Sequence, residues 1–235
     1  MEHGAKARAR FAWRPGARAW VPRPAAQAPH HTLLKLHHMA WWRHIYLDYR
    51  RYKATGDSAA RAQGFWASCV YRVSRAALSV RPRWLRALLL PLVRISQTAA
   101  EILTGISLPP ECEIGDGLYI GHFGSIVLAR EARIGYNCSM AQNVTIGLAG
   151  RGAERGAPTI GNRVFIGAHS VIVGRIEVGA DAMICAGSVV TRSVPPRAVV
   201  VGNPARVINF DGSFEHVVYD GMELDAERLA ARQAT

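Results

Sequence analysis

Aliphatic residues recur at every sixth position through the second half of the chain: Ile160, Ile166, Ile172, Val178, Ile184 and Val190. Glycine follows directly at Ile160-Gly161, Ile166-Gly167 and Val178-Gly179. Four places after a repeat residue the side chain is usually small or β-branched, as at Val164, Ser170, Ala182, Ser188 and Val194. A six-residue rhythm of this kind predicts a parallel β-helix. Each hexad makes one short flat face, and its first residue points into a continuous apolar core. Glycine or a small side chain takes the corner, where a larger Cβ would clash. One coil cannot bury its own core, so the coils must stack.

The same rhythm runs upstream in two shorter frames, Leu108-Ile114-Ile120 and Leu128-Ile134-Met140-Ile146. Both frame breaks add two residues. Eight positions separate Ile120 from Leu128, across Gly121-His122-Phe123-Gly124-Ser125, and fourteen separate Ile146 from Ile160. The second break, Gly147 to Pro158, is rich in glycine and charge. A solenoid accepts insertions only at its corners, where they project as loops, and loops on a rigid scaffold commonly carry function.

Before the hexads the apolar period becomes helical. A first helix is predicted over Thr32 to Tyr52, with Leu33, Leu36, His37, Ala40 and Trp41 on one face. A turn at Thr55-Gly56-Asp57 leads to a second helix over Ala59 to Leu78, with Phe65, Cys69, Tyr71, Val73 and Ala76 apolar. A third spans Pro82 to Leu103 and contains Pro91, which should kink it. Its Trp84, leucines and arginines suit a membrane interface or packing against its neighbours or a sister subunit. The organisation expected is a disordered basic leader (1–30), an α-helical domain (31–104), a β-helix (105–208) and a polar tail (209–235) with a short terminal helix.

Charge divides the chain sharply. Residues 1–100 hold 18 Lys and Arg against 3 Asp and Glu, whereas residues 101–235 hold 11 against 14, within a total of +12. A basic half implies anionic company or a solvated basic tail. No zinc-finger spacing, RNA-binding signature or long basic helix points to nucleic acid. The four cysteines, Cys69, Cys112, Cys138 and Cys185, form no CxxC or metal-ligand spacing. Cys112 and Cys138 fall on small-residue positions of their hexads and read as packed thiols, which fits a reducing cytosol. The first 30 residues lack the apolar core of a secretory signal. The longest apolar run, Ala87 to Val93, falls short of the roughly 20 residues that span a bilayer. A cytoplasmic location is expected, with peripheral contact at the inner face of the membrane as the variant.

Of nine histidines, His122 stands out. It lies in the first frame break between Gly121 and Gly124, so its ring should stand at an exposed edge as a general base near neutral pH. His169 sits at an ordinary corner and reads as structural. The stretches Leu118-Tyr-Ile-Gly-His122-Phe-Gly-Ser-Ile-Val127, Val144-Thr-Ile-Gly147 and Val201-Gly-Asn-Pro-Ala-Arg-Val207 resemble the serine acetyltransferase branch of the hexapeptide acyltransferases, in particular members associated with polysaccharide gene clusters. The resemblance covers about Tyr46 to Ile208. It implies a left-handed parallel β-helix; most β-crossovers are right-handed, so the handedness comes from the resemblance and not from the hexad spacing. It also implies a homotrimer or dimer of trimers, sites between neighbouring solenoids, acetyl-CoA as donor, direct transfer with His122 as base, and no metal. Carried over, Leu148, Ala149, Ala168 and Ala186 would line the pantetheine along the coil edge, and Arg192 would meet a CoA phosphate.

Three departures bear on the acceptor. The family's Asp before the catalytic His is Gly121 here, its His-orienting Asp aligns with Ser107, and its second active-site His aligns with Ala157. Ser107 could still orient His122 by a hydrogen bond. Arg151 and Arg155 in the long loop suit a sugar phosphate or acidic glycan. The reading is therefore an acetyl-CoA-dependent O-acetyltransferase acting on a sugar or polysaccharide-precursor hydroxyl. L-Serine is the alternative acceptor, an amino-sugar N-acyltransferase comes next, and an inactive scaffold is the alternative of another class. Asp48 and Asp57 lie where the helical domain could reach the acceptor, without firm alignment.

Overall fold

The computed structural model describes residues 41–233. The expected leader at 1–30, and the part of the first predicted helix before Trp41, lie outside the described residues. Three helices come first: α1 (Trp41–Thr55), α2 (Gln63–Leu78) and α3 (Arg83–Thr104). α2 begins four residues later than its apolar pattern suggests. Ala59–Arg61 form a separate 3₁₀ turn, and Ala62 is extended at φ −80°, ψ 111°. Pro91 sits inside α3 without ending it. Gly105 ends α3 in a left-handed conformation (φ 66°), its N–H donating to the Glu101 carbonyl at 2.8 Å.

From Ile106 onward the chain winds as a left-handed parallel β-helix with three faces. Face A stacks β1 (Ile106–Ser107), β4 (Ile126–Leu128), β7 (Thr145–Gly147), β10 (Val171–Val173) and β13 (Val189–Val190). Face B stacks β2 (Glu113–Ile114), β5 (Arg133–Ile134), β8 (Thr159–Ile160) and β11 (Glu177–Val178). Face C stacks β3 (Tyr119–Ile120), β6 (Ser139–Met140), β9 (Phe165–Ile166) and β12 (Met183–Ile184). It closes with β14 (Val199–Gly202) and β15 (Ala205–Asn209), an antiparallel hairpin through the cis Asn203–Pro204 bond.

Register explains the hexad pattern. Ile120, Met140, Ile166, Ile184 and Val200 pair in sequence down face C, and Leu128, Ile146, Ile172 and Val190 do so down face A. All are buried in one core. Cys112 and Cys138 lie in that core as free thiols, and burial pushes each up to about 12.

The helices dock on the first coil through buried polar groups. Asp48 is fully buried and pairs with Arg72 at 2.9 Å. The same carboxylate accepts the Gly117 and Leu118 N–H groups at 2.9 and 3.1 Å, and Arg72 donates to the Ile114 and Gly115 carbonyls. Tyr52 and Tyr71 cap the Ile120 and Cys112 carbonyls with their hydroxyls. Asp48 is thus an anchor between helices and solenoid and not an acceptor ligand. At Gly64 a Cβ would stand 2.6 Å from Ile120 Cβ, so only glycine lets α2 come this close. After the hairpin the tail returns along face C and ends in α4 (Ala226–Gln233). Arg163, bridged to Asp181 and Asp225, holds the tail there.

Candidate active site

His122 lies on the corner between faces C and A, between β3 and β4. Leu128 and Ile146 are partners on neighbouring coils, yet Ile146 comes six residues after Met140 and Leu128 eight after Ile120. The two surplus residues push His122 and Phe123 outward, and both side chains are exposed. Gly124 makes this possible with φ 102° and open space where a Cβ would sit. Gly124 ties the corner to the segments on either side of it: its N–H donates to the Thr104 carbonyl at 3.0 Å, and Asn143 N–H donates to its carbonyl at 3.1 Å. Among the described residues the His122 ring has no hydrogen-bond partner.

Later coils continue this edge with small residues. His169 N–H donates to the Gln142 carbonyl at 3.0 Å, and Gly187 N–H to the Ala168 carbonyl at 2.8 Å. Ala168, His169, Ala186 and Gly187 therefore stack on the corner that carries His122. A Cβ on Gly167 would stand 2.6 Å from Ala186 N, and one on Gly187 would meet nothing within 4 Å. The edge is exposed and built of small residues, so a thin chain could approach the backbone there and a large side chain would stand in its way. His169, in a left-handed conformation (φ 60°), is joined to Asn143 Nδ2 at 3.2 Å. It lies on the same small-residue corner as Ala168.

The expected pantetheine residues do not share one edge. Leu148 and Ala149 follow β7 and lie on the corner between faces A and B. Ala168 and Ala186 precede β10 and β13 and lie on the corner between faces C and A. Face A separates the two pairs, because each strand of that face starts at one corner and ends at the other. Arg151, Arg155 and Arg192 lie on the A–B corner with Leu148 and are exposed. The long loop folds back on itself through paired backbone bonds between Ala149 and Gly156 (3.2 and 3.0 Å). Beneath it is a cavity of about 620 Å³, whose lining includes Arg133, Arg155, Arg175, Glu131 and Ala157. Arg151 is not among its lining residues.

Ser107 does not bond His122. Its hydroxyl donates to Glu101 Oε1 at 2.7 Å, because the last turn of α3 brings that carboxylate against β1. Asp57 bonds the Tyr119 hydroxyl beside the helical seam. Burial, and then that bond, push the phenol up to about 12. Among the described residues no three His, Cys, Asp or Glu side chains are grouped to hold a metal ion.

A model of the bacterial transferase hexapeptide (six repeats) matches residues 157–192. The chain is 35% identical over 150 residues to the serine acetyltransferase of Synechococcus elongatus, covering 63% of this chain and 58% of that protein. It is 35% identical over 120 residues to the serine acetyltransferase of Helicobacter pylori, covering 51% and 70%. The Brucella abortus serine acetyltransferase in complex with coenzyme A superposes with a TM-score of 0.65 at 27% identity, covering 77% of this chain and 72% of that one. The chain spans between 40% and 58% of the length of the Synechococcus, Mycobacterium tuberculosis and Arabidopsis thaliana relatives it matches. A three-faced hexapeptide solenoid, a histidine carried on a widened first corner and the extent of these likenesses agree: the chain belongs to the serine acetyltransferase family.

Proposed function

We propose that the protein is an acetyl-CoA-dependent O-acetyltransferase in which His122 is the general base and L-serine the acceptor. The observation that carries the reading is the exposed His122 on the widened corner, in line with the small-residue edge at Ala168 and Ala186. Acetyl-CoA supplies an acetyl thioester already activated for transfer. Ala168 and Ala186 would admit its pantetheine arm against the backbone, with Leu148, Ala149 and Arg192 contributed from the other edge of face A. His122 takes the proton of the acceptor hydroxyl as the new ester bond forms and returns it to the departing thiol. Main-chain N–H groups at the corner offer the means to hold developing negative charge.

The split of the expected residues over two edges supports assembly, because a neighbouring copy can set its A–B edge against the C–A edge that bears His122. A homotrimer is the simplest closed arrangement of this head-to-side kind.

A second reading, transfer to a sugar or polysaccharide-precursor hydroxyl, is favoured by one observation. The cavity under the long loop is lined by Arg133, Arg155 and Arg175. Gly121 and Ala157 meanwhile provide no charge or ring to grip an amino acid. Thiol release from acetyl-CoA with L-serine, and separately with sugars and nucleotide sugars, tests both. Turnover with serine supports the first reading, turnover with sugars alone the second, and turnover with none refutes the enzyme. His122→Ala should lower turnover by about 100-fold or more with folding unchanged.

A further inference from the structure

One side of α3 carries a stripe of large apolar side chains that the rest of the described chain leaves open. Trp84, Leu88, Leu92, Ile95, Ile102 and Leu103 are each between 62% and 78% exposed. The steps from Trp84 to Leu88, Leu92, Ile95 and Ile102 are four, four, three and seven residues, which set them on one side of a helix. The opposite side packs against α2 and β1, where Val93 and Thr104 are buried. Single exposed apolar residues are ordinary, but a continuous stripe marks a contact surface. Arg83 and Arg94, eleven residues apart, run along one flank of the stripe, and Arg86 joins them in the first turn. All three are exposed, and among the described residues none forms an ion pair. Between Asp57 and Glu111 the chain holds seven arginines and one acid, Glu101. That carboxylate is engaged elsewhere, accepting the Ser107 hydroxyl at 2.7 Å.

We infer that the outer side of α3 docks on an anionic lipid bilayer, with the helix lying flat, Trp84, Leu88, Leu92 and Ile95 among the acyl chains and the three arginines at the headgroups. An apolar side edged by arginine is what an interfacial helix needs, and anionic headgroups supply the counter-charge that this stretch of chain lacks. The Trp84 indole suits the boundary between headgroup and acyl chain. The helix has 22 residues, enough to cross a bilayer, but it is packed against α2 and continues through Gly105 into β1. A helix held in that way lies along a bilayer, and lying flat keeps Arg86 and Arg94 out of the hydrocarbon. A second copy of the same stripe is the weaker fit. Two stripes set face to face would gather six arginines and two glutamates along one seam. Ile102 and Leu103 stand at the end of α3 that Thr104 ties to the His122 corner, so they are left to the neighbouring subunit. The inference does not depend on which hydroxyl is acetylated.

The test is co-sedimentation of the full chain with vesicles of phosphatidylcholine and phosphatidylglycerol in equal parts, and with vesicles of phosphatidylcholine alone. Wild type should bind the mixed vesicles, bind the neutral ones at least about 10-fold more weakly, and lose binding as salt is raised. Two double variants divide the contact. Leu88→Glu/Leu92→Glu removes the apolar side and Arg83→Gln/Arg94→Gln the charged flank. Each should weaken partitioning by about 10-fold or more. All four positions are exposed, so the melting temperature and thiol release from acetyl-CoA without lipid should stay at wild-type values. The arginine pair keeps the test decisive even if two new glutamates disturb the fold. Residues 1–40, themselves basic, are intact in every variant, so vesicle binding retained by both variants places the contact outside α3 and overturns the inference. Absence of wild-type binding to mixed vesicles also overturns it. Sedimentation velocity without lipid then reads the other occupant: a shift of Leu88→Glu/Leu92→Glu towards a smaller species assigns the stripe to a second copy of the chain.

Discussion

Replacing Asp48 by alanine should be among the most destabilising single changes in the described chain. The Asp48 carboxylate is fully buried and accepts five hydrogen bonds: from Ser68 Oγ at 2.6 Å, Arg72 Nε and Nη2 at 2.9 and 3.0 Å, and Gly117 and Leu118 N–H at 2.9 and 3.1 Å. Arg72 is only 5% exposed and would be left as a buried cation without a counter-charge. Removing one member of a buried pair costs about 3–5 kcal/mol. The two orphaned backbone N–H groups add in the same direction, about 1–3 kcal/mol each before relaxation or water entry. A loss of about 4 kcal/mol is the working expectation. Asp48→Ala/Arg72→Leu should lose less than the two single changes combined, because it removes the uncompensated charge with its partner. Urea unfolding at one fixed protein concentration, followed by tryptophan fluorescence, measures both. A loss below about 1 kcal/mol for Asp48→Ala, or additive single effects, would refute the assignment of this pair as the dock between helices and solenoid.

Other expectations follow from the small-residue edge and the tail. Ala186→Phe fills the small-residue edge and should raise the KM for acetyl-CoA by about 10-fold or more while the melting temperature stays within a few degrees, since the side chain points to solvent; steady-state kinetics and calorimetry report the two. Burial of Asp225 works against its charge, but bonds from the Tyr219 hydroxyl and the Arg228 N–H, with the nearby Arg163 cation, hold it below the usual carboxylate range. A carboxyl depressed on folding stabilises above its unfolded pKa of about 4 and loses that stabilisation as pH falls through the folded value. Limited acid proteolysis should therefore release α4 only near and below pH 4, and Asp225→Asn should release it at neutral pH.

The sequence disclosed the solenoid because its constraint is local and repeated. Ile160, Ile166, Ile172, Val178, Ile184 and Val190 each fill the same inward position, so one residue type recurs at one spacing and all are buried. His122 was legible for the opposite reason, as an interruption of that spacing. What the pattern could not disclose is contact between elements. Ser107 meets Glu101 only because α3 ends against β1, and no periodicity links positions 101 and 107. Asp48 reads in the sequence only as an acid within reach of the acceptor, because its partners, Arg72, Gly117 and Leu118, lie 24 to 70 residues away. A coil-by-coil alignment also hides which corner a residue occupies. Ala149 and Ala168 look alike as small residues after a strand, yet one lies after face A and the other before it.

That division over two corners has a consequence that can be counted. If one site draws His122 from one copy and the long-loop edge from the next, two kinds of inactive subunit can complement each other. In a closed ring each site has two donors, so an equal mixture of His122→Ala and a loop-edge variant such as Leu148→Arg, each inactive alone, assembles at random. A site works only when its His122 donor carries the loop change and its loop donor carries the histidine change. The chance is one half for each, so about a quarter of wild-type activity should return on co-refolding. A site built within one copy gives a different answer, because every copy then carries a defect and mixing restores nothing. Phe123 and Val127 on the exposed side of the His122 corner are the apolar contacts through which such a neighbour would seat. Phe123→Glu should therefore abolish the recovered quarter in parallel with any shift of the sedimenting species towards the monomer, whereas a within-copy site would keep its activity as the assembly came apart.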